Sequence, residues 1–444
     1  MCKKILVICV ITFLFSCKND DQNYTSLLDD ELESILFESS NNVGMSFYVL
    51  PNETDYSSIP QDPNNPITKT KVDLGKLLYH ETGLGIKAEK SVGMGTYSCA
   101  SCHHSKAGFQ AGKRQGIGDG GVGFGFLGEA RGFHEAYTSE NADIQPIRSP
   151  SSLNTAYQNV MLWNGQFGSK GLNQGTEAQW TEGTPKAINN LGFEGLETQA
   201  IAGMSVHRME VNVNLVNELN YKPLFDDVFS DIPIEERYTN INAGLAIAAY
   251  ERTLLANKAP FQKWLRGDSN AMSENEKNGA ILFFGKAQCV QCHNGPSLAS
   301  TMFSAIGMND LTGSDVFGEI SIGNKKGRGG FTMNPNDDYK FKVPQLYNIV
   351  SNGSFGHGAS FKSVEEVVRY KNAAVKENID VPIANIDENF VSLGLTDDEI
   401  NLIVLFIENS LQDNDLSRYV PINVFSGNCL PNNDSQSKDD LGCN

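Results

Sequence analysis

Apolar residues recur along this chain mainly at helical spacing, while runs that alternate like a strand are sparse and short. Leu28, Leu32, Ile35 and Leu36 share one face of a helix expected from about Ser26 to Ser39. The stretch from Pro51 to Pro66, rich in Pro and Asn, follows as a tether. Further on, INAGLAIAAYERTLLA after Asn240 reads as a helix opening a second domain. Three pairs at capping-box spacing, Ser273 with Glu276, Ser363 with Glu366 and Thr396 with Glu399, predict three helix starts. The last of these places Ile400, Ile403, Ile407 and Leu411 on a buried side. The glycine-dense GIGDGGVGFGFLG at 116–128 lacks the Lys-Ser/Thr ending of a phosphate loop and is read as a mobile loop.

Composition narrows the class. The 444 residues, 40% hydrophobic and 20% charged, describe a folded globular chain of about two domains. With 35 basic against 53 acidic residues the net charge is −18, which argues against nucleic acid as a partner. Lys3 and Lys4 ahead of the apolar Ile5–Phe15 stretch make residues 1–16 a signal peptide, the run being too short to span a bilayer.

The cysteines carry the chemistry. Cys99 with Cys102 and Cys289 with Cys292 form two Cys-x-x-Cys pairs, followed directly by His103 and His293. Two thiols at this spacing can add to the two vinyl groups of one haem, and the adjoining histidine then lies under the iron. Zinc fits poorly, because each unit offers three ligands and no second pair is near enough to complete a tetrahedron. Two covalent c-type haems are therefore expected. Two such units about 190 residues apart, each followed by helices, imply a mainly α fold of two cytochrome c-like domains face to face. The expected divisions are 1–16 signal peptide, 17–66 helix and tether, 67–235 first haem domain, 236–420 second haem domain and 421–444 polar tail. In that tail Cys429 and Cys443 remain for a disulfide in an oxidising compartment.

LFSC at 14–17 resembles a bacterial lipobox, implying cleavage before Cys17 and lipid on that residue. The chain is then an outer-membrane lipoprotein facing the periplasm or the cell surface. From about Leu74 to Val420 it resembles the bacterial di-haem cytochrome c peroxidase family, which includes MauG-type enzymes. The segments carrying the likeness include LGKLLYHETGLG, YSCASCHHSKAGF, RSPSSLNTAYQNVMLWNGQF, LETQAIAGMSVHRME and FKVPQLYNIVSNGSFGHGASFKSVEEVVRY.

The resemblance implies that hydrogen peroxide reacts at the first haem, while the second admits electrons from a small cytochrome, cupredoxin or other donor. It also implies a possible homodimer. Trp163 matches a tryptophan between the haems and would relay electrons. Glu210 matches, by a one-residue insertion, a distal glutamate that moves a proton between the peroxide oxygens. His207 is read as structural, and stands in if Glu210 points away.

Two positions depart from the pattern. The second axial ligand of the second haem, methionine in the peroxidases and tyrosine in MauG-type members, falls fourteen residues after His357, on Lys371. Val364, Val367, Val368 and Lys371 share a helical stripe, so Lys371 either offers a desolvated neutral amine to iron or snorkels to water or a propionate. Tyr370 by register shift, and Met302, Met308 or Met333, are the other candidates. The resemblance also implies one calcium ion between the domains, and here is the second departure: its usual asparagine is matched by Arg148, although backbone carbonyls near Asn352 and Ser354 could still contribute. Three readings follow: a peroxidase, a MauG-type oxidase of a protein side chain or small organic molecule, and a plain electron-transfer cytochrome.

Overall fold

The structure, a computed structural model, describes residues 19–443. The expected signal peptide and Cys17 lie outside the described residues. In chain order the first helices are α1 (Asn19–Ser39), α2 (Lys69–His80), α3 (Gly195–Val206), α4 (Val213–Glu218), α5 (Lys222–Val228), α6 (Asn240–Arg252) and α7 (Pro260–Leu265). They are followed by α8 (Glu274–Phe284), α9 (Ile322–Lys325), α10 (Arg328–Thr332), α11 (Val364–Ala373), α12 (Asp397–Leu405) and α13 (Ser435–Leu441). Strands among the described residues are two-residue pieces in two antiparallel pairs, β1 (Gly121–Val122) with β2 (Gly132–Phe133) and β3 (Phe303–Ser304) with β4 (Phe341–Lys342).

Two helix crossings organise the molecule. In the first haem unit α2 and α3 pack on α6. At the α2–α6 crossing a Cβ on Gly75 would lie 1.9 Å from the Ala246 carbonyl oxygen, so only glycine lets these backbones approach. In the second unit α8 crosses α12 in the same way, and a Cβ on Gly279 would lie 2.0 Å from the Leu402 carbonyl oxygen. Each unit is thus a helix, a Cys-x-x-Cys-His turn and a returning helix locked onto the first, as two cytochrome c-like domains require. The capping boxes at Ser273 and Thr396 form reciprocally, whereas at Ser363 the hydroxyl caps Glu366 N but the Glu366 carboxylate takes the Lys362 N–H. Ile400, Ile403, Ile407 and Leu411 are all buried, although the helix slackens into a π-turn over Phe406–Ser410.

Four segments pack in ways the sequence does not announce. Helix α6, in the segment expected to open the second domain from 236, packs on α2 and α3 of the first unit. The tether at 51–66 is packed: Asp62 and Asn65 are buried, the Asn65 amide donates to Leu245 O, and Pro60 O accepts from Arg252. Arg252 is itself held by a fully buried two-point pair with Glu197, at 2.8 and 2.7 Å. The glycine-dense stretch is closed around the Arg131 side chain, which donates to the carbonyls of Ile117, Gly118 and Gly123. The polar tail returns across the molecule to the first haem unit, bridged by the expected Cys429–Cys443 disulfide. Pro431 O accepts from Ser98 Oγ beside Cys99, and Asp434 pairs with Arg131. The N-terminal α1 packs on α8, in the second unit.

Candidate haem-binding sites

Both Cys-x-x-Cys-His segments open with a single 3-10 turn, Cys99–Ser101 and Cys289–Gln291, capped by Cys102 and Cys292 just before the histidine. In the first, Ser98 and Ser101 cap one another, and in the second Gln288 enters in the left-handed conformation. His103 Nδ1 donates to Phe109 O at 3.3 Å and His293 Nδ1 to Leu298 O at 3.1 Å. The Nε2 of each ring is left for iron, the arrangement that orients a histidine ligand. Burial depresses both imidazoles to about 4, keeping them neutral and able to coordinate. The four thiols are unpaired, and burial pushes Cys102 and Cys289 up to about 12 and Cys99 higher still. Each cavity therefore offers two protonated thiols and an oriented neutral imidazole, a donor set that fits one covalently attached haem.

The first cavity, about 40 Å³, is lined by Cys99, Cys102 and His103 together with Gln199, His207 and Asp143. His207 caps the end of α3, and Arg208 after it adopts φ +55°. This left-handed residue turns the chain so that His207 faces the cavity while Glu210 faces outward. Glu210 is absent from the cavity wall; it pairs with Lys87 at 2.9 Å and accepts from Asn212 at 2.7 Å. His207 Nδ1 lies 2.8 Å from Asp143 Oδ2. Burial alone would depress this imidazole, but the Asp143 charge and hydrogen bond outweigh it and raise its pKa. His103 and His207 are close enough for charge on His207 to lower the pKa of His103. The turn is held from both sides: Tyr97 Oη donates to Arg208 O, and Arg208 Nη1 meets Asp119 at 2.6 Å.

The second cavity, about 260 Å³, is lined by Cys289, Cys292, His293, Lys371, Met308 and Trp163. Val364, Val367, Val368 and Lys371 all reach its wall from α11, the stripe read from the sequence. Burial lowers the Lys371 ammonium pKa, and its Nζ lies 5.0 Å from the Phe390 ring centre. Tyr370 turns away, its hydroxyl donating to Ile306 O. Of the three candidate methionines Met308 alone lines the cavity, since Met302 and Met333 are 41% and 70% exposed.

Trp163 is buried in the wall of this cavity, with Nε1 donating to Arg148 O at 2.8 Å and its ring edge on His357 at 6.4 Å. Pro150, two residues beyond Arg148, lines the same cavity, and its carbonyl is near enough to the His103 ring to raise its pKa. The segment 148–150 therefore touches both sites. Where the calcium expectation needed an oxygen ligand, the side chain is the buried Arg148 guanidinium. Sequence reasoning missed Asp143 and Gln199 as cavity residues: Asp143 lies 64 positions from its histidine, with no local pattern to announce it.

A profile described as di-haem cytochrome c peroxidase matches residues 69–270. The chain is 30% identical over 316 residues to the cytochrome c551 peroxidase of Nitrosomonas europaea, covering 70% of this chain and 75% of that one. A cytochrome-c peroxidase of Denitromonas iodatirespirans is 29% identical over 372 residues, covering 79% and 84%. The methylamine utilization protein MauG of Methylorubrum extorquens is 28% identical over 321 residues, covering 70% and 71%. The fold is also that of a MauG-like protein associated with microbial copper homeostasis, with a TM-score of 0.56, 20% identity, and 83% and 95% coverage. Sequence, fold and paired haem-binding turns agree: the chain belongs to the di-haem cytochrome c peroxidase family.

Proposed function

We propose that this protein reduces hydrogen peroxide to two water molecules, using two electrons from an external donor and two protons. A small cytochrome or cupredoxin is the expected donor, with electrons entering at the His293 site. Bound at its two histidines, haem supplies the redox chemistry of O–O cleavage and electron entry. The observation that carries the reading is the His207–Asp143 pair in the His103 cavity. Asp143 fixes the His207 ring through Nδ1, and the opposite Nε2 is then the atom that takes a proton from one peroxide oxygen and returns it to the leaving one. Gln199, in the same wall, supplies a neutral hydrogen-bonding group to orient the bound molecule. Trp163 is the relay between the sites, and its indole N–H is fixed to the segment that reaches His103.

At the second site Lys371 would hold the haem iron together with His293, a role supported by its place in the cavity wall and its burial. Export and lipid anchoring at Cys17 on the outer membrane belong to the same proposal. They rest on the N-terminal sequence and are supported by the Cys429–Cys443 bridge, which suits an oxidising compartment.

The test is peroxide turnover by the pre-reduced di-haem protein. H207Q is expected to lower kcat/KM for peroxide by roughly 10²–10⁴-fold, the usual contribution of a positioned acid–base group. E210Q should stay within about threefold, as its carboxylate faces Lys87 and solvent. Loss of turnover in E210Q with H207Q intact would reverse the assignment, and no peroxide consumption with any reduced donor would refute the function.

A further inference from the structure

Two cations are buried beside Trp163 without an anion. Arg148 and Lys342 are each 7% exposed, and both line the second cavity. They flank the indole through the backbone: Arg148 O accepts from Trp163 Nε1, and Lys342 N donates to Trp163 O at 2.8 Å. Their charged ends meet only neutral amides among the described residues. Arg148 Nη2 donates to Gln110 Oε1 and Lys342 Nζ to Gln158 Oε1, while Arg148 Nε is buried with no partner. Neither side chain forms an ion pair with a described carboxylate. The carboxylate in this wall, Asp310, is engaged by His357 at 3.4 Å and by Asn378 at 3.3 Å. Burial acts on both cations unopposed, lowering Arg148 to about 10 and Lys342 to about 7.

A buried charge without a counter-charge is strongly unfavourable, so such a position either takes an anionic partner or the group neutralises. Two cations aimed into one cavity by two glutamine amides make a receptor for a pair of carboxylates. Haem carries two carboxylates, its propionates, on the edge away from the thioether-forming vinyl groups.

The geometry points to Arg148 and Lys342 as the clamp for the propionates of the His293 haem, supplying from the protein the positive charge a divalent cation would otherwise bring to the seam between the sites. This rests on the reading that the cavity holds a haem. Fixed positive charge there stabilises the reduced form of the second haem, and it anchors that haem's carboxylate edge to both backbone neighbours of Trp163.

The experiment uses the full-length di-haem protein, with covalent haem counted by mass before any titration. Spectroelectrochemical titration of R148Q and K342M should show the potential of the His293 haem shifted downward, with a smaller change at the His103 haem. R148K and K342R, which keep the charge, should stay near wild type. In wild type, calcium and a calcium chelator should each leave the optical and electron paramagnetic resonance spectra of both haems unchanged, a measurement that needs no variant to fold. A haem count of one would show that the cavity reading has failed. With two haems present, unchanged potentials in the neutral variants, or a wild-type spectrum that responds to calcium and its chelator, would overturn the clamp.

Discussion

Removing one carboxylate from the C-terminal tail should destabilise the first haem unit, because Asp434 does two things there. Its Oδ1 accepts from Ser437 N at 2.9 Å, capping α13, and from Gly123 N at 2.9 Å in the glycine-dense stretch. Its Oδ2 lies 3.3 Å from Arg131 Nη1, and the two side chains are 7% and 2% exposed. An N-cap is worth about 1 kcal/mol and breaking a buried ion pair about 3–5 kcal/mol. Arg131 keeps its three carbonyl partners, so the lower part of that range applies, and D434A should lose about 3–4 kcal/mol in all. D434N keeps a capping oxygen and should recover about 1 kcal/mol. In a domain of this size such a loss corresponds to roughly 6–16 °C in Tm. Thermal unfolding of the di-haem protein, followed in the haem absorption and by circular dichroism, reads it. The double variant R131M/D434A removes the stranded charge and should regain most of the loss. If D434A and D434N both melt within about 1 °C of wild type, the tail is not fastened by this pair and the reasoning fails.

Two more outcomes follow from buried groups. Burial, with Glu197 repulsion added to it, raises the Glu251 carboxyl to about 8 against the pull of Ser152 and Arg252. The folded state then holds a proton that the unfolded chain releases above about pH 4.5, so stability present at acid pH is lost as pH rises towards 8, on the order of 4 kcal/mol across the window. E251Q should flatten that slope in denaturant midpoints measured from pH 5 to 8; profiles running parallel to wild type would contradict it. At the second haem, K371M should raise the midpoint potential, because a thioether stabilises reduced iron relative to an amine, whereas M308L should leave it in place. The reverse pattern in electron paramagnetic resonance and potential would make Met308 the ligand.

Legibility tracked the range of the interaction that decides each feature. The haem-binding turns, the α11 stripe ending on Lys371, the caps at Ser273 and Thr396 and the Cys429–Cys443 bridge are set by residues within about fifteen positions of one another. Helix α6 carries no local sign of the unit it packs on: Ala243, Ala246, Ala248 and Ala249 are wholly buried, so no single face shows which neighbour it meets. The placing of Glu210 turned on one left-handed residue, Arg208, a conformation only a few per cent of non-glycine residues adopt. The packed tether and the returning tail depend on Arg252 and Arg131, whose partners lie 55 and 303 positions away.

The returning tail also gives the molecule a sense of time. The turn bearing Cys99 and Cys102 is made well before the segment fastened beside it, Pro431 to Asp440, which follows both haem units in the chain. The first haem unit therefore lacks its tail contacts, at Ser98 and Arg131, until the second unit has been made. The docked tail, secured by the 429–443 bridge, ties the completion of the first unit to sequence that lies beyond the second.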